Sequence, residues 1–197
     1  MFVQIIEGRT SDAEGLARQG ERWSVDLAPA AIGFLGATMG TTADGHAINV
    51  ARFDSAESAR ANSDRPEQGT WWAETEKFYD GEVTFTESTD VEEFRGGGSN
   101  DAGFVQVMKS TGADRAELAR LDEQFARHPE ARPDLLGMLR IWTGDRDCVE
   151  VAYFTSETEA RVGEQSELPG ELRDLMVGLE QAMGTTEFLD LEAPTLV

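Results

Sequence analysis

Phe2-Val3-Gln4-Ile5-Ile6 returns as Phe104-Val105-Gln106-Val107-Met108, and Leu16-Ala17-Arg18 returns as Leu118-Ala119-Arg120, each shifted by 102 residues. The match continues through Leu35-Gly36 with Leu136-Gly137 and Val50-Ala51 with Val151-Ala152. Phe53, Ser55, Ala59 and Arg60 then face Phe154, Ser156, Ala160 and Arg161, the shift now being 101. Near the end of each copy Pro66, Gly81 and Phe85 face Pro169, Gly184 and Phe188 at a shift of 103. Two copies of one module, with small loop insertions and deletions between them, fill the 197 residues. Two copies are too few for a solenoid or propeller, which needs three or more to bury a continuous core, so the repeat reads as an internal pseudo-dimer.

Each copy carries the same order of hydrophobic periods. In the first, residues 2–7 read as a strand, and 12–28 as a helix with Leu16, Gly20, Trp23 and Leu27 on one face and Asp12 as N-cap. Residues 32–40 and 46–53 read as a hairpin turned at Asp44-Gly45. A second helical region opens at Ser55, is interrupted by Pro66 and Gly69 and resumes through Trp71-Trp72 to Tyr79, and 82–88 reads as a last strand. The second copy repeats this with strands near 104–109, 135–143, 147–154 and 186–191 and helices near 114–127 and 156–182. The β-α-β-β-α-β order predicts an α+β fold of two ferredoxin-like modules, an antiparallel sheet in each with its helices on one face. Phe34-Leu35, Ile48, Val50, Leu135-Leu136 and Val149 to Val151 place apolar groups on both pleat faces, so the expected cover for the free sheet face is the other copy's sheet. The expected boundaries are 1–92 for the first module, 93–102 for a flexible Gly-rich linker, and 103–197 for the second.

Composition narrows the partners. Thirty-eight acidic against seventeen basic side chains give a formal charge of −21, which repels phosphate backbones and anionic lipid. Nucleic acid and membrane are therefore not expected partners, and no apolar run approaches the roughly 20 residues of a spanning helix. No secretory signal pattern follows Met1, so the expected compartment is the cytoplasm. The lone Cys148 lies in an apolar run and reads as a buried thiol. Two histidines and one cysteine do not make up a zinc or transition-metal site, Gly96-Gly97-Gly98 lacks the strand-to-helix context of a phosphate loop, and neither metal nor cofactor is expected. The expected assembly is a monomeric pseudo-dimer, with further self-association open.

The strand ending in an aromatic residue (Phe53, Phe154), the Ser-opened helix containing Ala-Arg and the proline-broken second helix together resemble the dimeric α/β-barrel superfamily, and within it the antibiotic-biosynthesis-monooxygenase-like proteins. The resemblance covers about residues 2–92 and 103–192. It implies a small-molecule pocket within one module, between the sheet and the second helical region, often carrying asparagine, tryptophan, tyrosine or arginine. It also implies activities that include cofactor-independent oxidation of aromatic polyketides and quinols. Haem-degrading relatives use an axial histidine on the second helical region, where this chain has none.

Copy one supplies such residues and copy two does not. Asn62, Trp71, Trp72 and Tyr79 face Gly163, Asp174, Leu175 and Ala182, which predicts a ligand pocket in the first module and a degenerate one in the second. Adjacent tryptophans on a helix point about 100° apart, so one of them, by preference Trp72, is expected to stack on a flat aromatic ligand. Asn62, Tyr79 and Arg52 are the candidate hydrogen-bond donors to a developing oxyanion, and His46 is the candidate base. The plainer alternative makes the tryptophans core, Asn62 a helix-end residue, Arg52 and His46 surface groups, and the protein a non-catalytic small-molecule-binding or interaction module.

Overall fold

The computed structural model describes residues 1–167 and 169–197. The chain forms two compact units. The first comprises Met1–Val91 with Asp190–Val197, and the second Glu92–Leu189.

The first unit holds β1 (Phe2–Arg9), α1 (Ala13–Asp26), β2 (Phe34–Thr41), β3 (His46–Phe53), α2 (Ala56–Ser63), α3 (Pro66–Thr75) and β4 (Thr84–Ser88). Its sheet runs β4-β1-β3-β2, all antiparallel, which is the ferredoxin-like order. The second unit begins with most of β5 (Val91–Phe94) and continues with β6 (Phe104–Thr111), α4 (Arg115–Phe125), β7 (Leu135–Trp142), β8 (Asp147–Phe154), α5 (Glu157–Gln165) and α6 (Gly170–Met183). Strand β9 (Thr185–Leu196) begins in this unit and ends in the first. The second unit repeats the order as β9-β6-β8-β7. Each sheet gains a fifth strand beyond the hairpin: the end of β9 beside β2 in the first unit, and β5 beside β7 in the second.

The local reasons are those the sequence offers. Asp12, Ser55 and Ser156 cap their helices, each side chain accepting a hydrogen bond from the backbone N–H three residues on. Gly45 takes a positive φ in the β2–β3 turn, where Asp44 also pairs with Arg9. In the core on the helix side of each sheet, Trp23, Leu27 and Trp71 cluster in the first unit, and Leu118, Leu121, Cys148 and Met183 cluster with Trp142 in the second.

Four expectations are corrected. Gly69 does not interrupt the second helical region. Pro66 sits in the first turn of α3, where its missing N–H costs nothing, and the helix runs through Gly69 unbroken. The helix expected over 156–182 is two helices, α5 ending at Gln165 and α6 starting after Pro169; Leu168 lies outside the described residues. The segment 93–102 is not simply a flexible linker. Glu93 and Phe94 belong to β5, and Arg95, held at a φ of 53°, donates to the carbonyls of Pro129, Arg132 and Leu135 at 2.7–2.9 Å. Finally, the stretch 190–197 belongs to the first unit, because the end of β9 pairs with β2, as in Met39 opposite Thr195.

Candidate functional site

In the first unit a cavity of about 250 Å³ opens between the sheet, α1 and α3. Strand alternation decides which side chains reach it. Phe53 packs with Ala59 of α2, so the odd positions of β3 face the helices and the even ones face away. Met39 and Asn49, opposite each other in the β2–β3 register, therefore form the cavity floor with Thr195. Trp71, Trp72 and Tyr79 form the wall. Small residues of α1 leave the space open: the position a Gly20 side chain would take is 3.2 Å from the Met39 sulfur.

The wall is set by a chain of contacts reaching back to β1. Thr10 Oγ1 donates to the Phe78 carbonyl at 2.7 Å and accepts from the Asp12 N–H, which fixes the turn that ends at Tyr79 against the start of α1. The Tyr79 ring lies over Gly8, where a Cβ would come within 2.6 Å of it. Trp71 is buried and spends its indole N–H on the Gln19 carbonyl at 2.9 Å. Trp72, half-buried, bridges Trp71, Tyr79 and Phe85 with ring centroids 6.1, 6.2 and 5.3 Å away. Burial pushes the Tyr79 phenol up to about 12, so it remains a proton-bearing donor at neutral pH. Asn49 Oδ1 is buried and has no hydrogen-bond partner.

Three of the residues singled out in the sequence meet here: Trp71, Trp72 and Tyr79. The other three stand elsewhere. Asn62 is buried in α2, its Oδ1 accepting from Arg65 Nη1 at 2.9 Å while the same nitrogen reaches the Leu27 carbonyl, so it ties α2 to the end of α1. Arg52 and His46 lie on the opposite sheet face from the cavity. The Arg52 guanidinium crosses Gly36, its Nε unpartnered, and His46 Nε2 is 3.2 Å from Glu7 Oε1. Asn49 escaped the sequence reading, although the repeat carried its signal: it is a polar residue at an inward strand position whose counterpart, Glu150, is polar too.

The second unit fills the corresponding space with its own side chain. Arg140 replaces Met39, and it pairs with Glu150 in the β7–β8 register as Met39 pairs with Asn49. Its Nε donates to Glu150 at 2.6 Å, its Nη1 to Asp122 and, at 3.1 Å, to Glu92, and its guanidinium lies 5.0 Å from the Phe94 ring centroid. Burial pushes the Glu150 carboxyl up, with Arg140 opposing. Burial works against the charged Arg140, but Glu150 and Asp122 outweigh it and hold the guanidinium protonated. Among the described residues no group of three or more histidines, cysteines and carboxylates is arranged to hold a metal ion, and no helix is long and apolar enough to cross a membrane.

No protein-family model and no curated protein matches the chain. Solved structures do. A candidate monooxygenase of Lactobacillus acidophilus superposes with a TM-score of 0.75 at 10% identity, over 100% of this chain and 95% of the other. One of Fusobacterium nucleatum gives 0.77 at 10% identity, over 99% and 93%. An anthrone oxidase-like protein gives 0.66 at 10% identity, over 100% and 92%. The chain thus shares the fold of these structures over its whole length, as two ferredoxin-like modules in tandem.

Proposed function

We propose that the first unit binds a small, flat aromatic molecule in the cavity beside Trp72 and Tyr79, and that the protein is a cofactor-independent monooxygenase acting on it. The observation that carries this reading is the asymmetry between the copies: the space that Arg140 fills in the second unit is open in the first and walled by three aromatic rings. Its volume is below the 300–1,000 Å³ usual for drug-sized ligands, which suits a compact fused-ring molecule.

An anthrone illustrates the chemistry. Its ring methylene loses two hydrogens and gains one oxygen atom to become a ketone, a four-electron oxidation. Dioxygen takes the four electrons, one atom ending in the carbonyl and the other in water, so no outside reductant is needed. The substrate enters neutral and gives its ring proton to water, and Tyr79, whose phenol burial keeps protonated, donates to the oxyanion that develops. Stacking on Trp72 fixes the ring plane. The full-length structural relatives named as monooxygenases or as anthrone oxidase-like support the same chemistry.

A second reading, a binding module without catalysis, draws support from the lining, in which Glu14 and Tyr79 are the titratable side chains and no histidine takes part. Dioxygen uptake measured with a panel of anthrones and naphthoquinols separates the two. Uptake that is lost in Trp72→Leu and Tyr79→Phe supports the oxygenase. Binding of the same compounds without uptake leaves the binding module.

A further inference from the structure

The second unit shows, with its own side chain, what kind of group the shared architecture accommodates at this position. The Arg140 guanidinium is planar, lies over an aromatic ring and presents N–H groups to the acceptor at the Glu150 position. Three carboxylates, Glu150, Asp122 and Glu92, answer its charge. In the first unit the acceptor position survives as Asn49, but its cross-strand neighbour is Met39, which has no donor, and Oδ1 is left buried and unpartnered. All three counter-charges are gone. Asn49 stands for Glu150, Gly20 for Asp122 by the repeat, and Thr195 beside Met39 for Glu92 beside Arg140.

From this we infer that Asn49 is the specificity-determining residue of the cavity, and that the ligand is a neutral planar molecule directing an O–H or N–H at Asn49 Oδ1. A buried acceptor without a partner is unfavourable, and a ligand that supplies the donor relieves it. A cation placed here would lack the buried carboxylates that hold Arg140, since Glu14 at the cavity rim is exposed and pairs with Arg18, and a carboxylate ligand would set charge against the Asn49 carbonyl oxygen in a chain already at −21. Aromatic walls with one orphan acceptor at the floor therefore select a phenol, naphthol or ring N–H compound over its alkylated or ionised analogue.

This inference rests on the reading of the cavity as an aromatic-ligand site, and the test keeps the two apart. Binding of naphthol, its methyl ether and naphthylmethylammonium is measured by titration calorimetry on the native protein and on Asn49→Leu and Asn49→Asp, with folding checked by circular dichroism. The native protein is expected to bind naphthol roughly five- to tenfold more tightly than the ether, the size of one hydrogen bond, and more tightly than the cation. Asn49→Leu loses the preference over the ether while still binding it, and Asn49→Asp, which keeps an acceptor of the same shape, retains that preference. Should the leucine variant not fold, Asn49→Ala carries the same expectation. Equal affinity for naphthol and ether in the native protein, a preference that persists without the Asn49 acceptor, or tighter binding of the cation overturns the inference while leaving the aromatic pocket standing. Binding of none of the three overturns both.

Discussion

Asn49 and Glu150 occupy the same register position in the two units, Asn49 opposite Met39 and Glu150 opposite Arg140. One pair leaves a cavity with an orphan acceptor and the other closes into a buried ion network. A single architecture thus yields an open site and a filled one through the side chains of two adjacent strands, and the predictions below follow from that difference.

Removing Arg140 alone is costly. Arg140→Met leaves Glu150, Asp122 and Glu92 facing one another without their shared cation, and breaking such a buried pair costs about 3–5 kcal/mol. Burial already holds the Glu150 carboxyl above its usual 4.5, so the folded state binds a proton more readily than the unfolded one and stability falls as pH rises through the folded-state value. The loss in Arg140→Met should therefore be largest at neutral pH and shrink as pH is lowered. Arg140→Met combined with Glu150→Asn, the pair found in the first unit, should recover part of it. Urea denaturation across pH provides the check.

Trp71 and Trp72 should separate in their effects. Trp71→Phe loses the buried indole hydrogen bond to the Gln19 carbonyl, which keeps its place in the α1 ladder, at a cost of about 0.5–1.5 kcal/mol. Trp72→Leu gives up ring contacts worth about 0.5–1.5 kcal/mol each, two of them with the half-exposed Phe85 and with Tyr79, and should weaken aromatic ligands more than it weakens the fold. Chemical denaturation and ligand titration on both variants measure the contrast.

Gly8 makes room for Tyr79. An alanine there meets the ring at 2.6 Å and should destabilise by about 1–3 kcal/mol, as overpacking does. The double variant with Tyr79→Ser should cost less than the sum of the singles, which a double-mutant cycle reads directly.

Cys148 should be inert in the folded protein. Its thiol is buried and, through burial and then the nearby Glu150, pushed up to about 12, so at pH 8 only about one molecule in ten thousand carries a thiolate. A disulfide-exchange reagent should label it only after denaturant is added.

The repeat and the hydrophobic periods made the fold legible. β1 to β4 and their partners at shifts of 101 to 103 stand where alternation puts them, since register leaves little freedom once one sheet face is buried. What escaped was long-range. Nothing local marks β5 as the neighbour of β7, or the end of β9 as the neighbour of β2, because fifth-strand pairing depends on where the chain travels after its module is complete. Trp72 and Tyr79 were legible as site candidates because polar aromatic groups were set against Leu175 and Ala182 in the other copy. Asn62 misled for the same reason, since its contrast with Gly163 is structural: Gly163 makes room for the Arg132–Asp134 pair, whereas Asn62 receives Arg65. Asn49 could be found only by knowing which face of β3 turns to the helices.

The most direct test of the account is the stoichiometry of naphthol binding to the whole chain, measured by equilibrium dialysis. One site per chain, weakened about tenfold by Trp72→Leu and untouched by the second-unit substitution Leu175→Ala, is the predicted result. Two equivalent sites per chain, or a single site indifferent to Trp72, would contradict it.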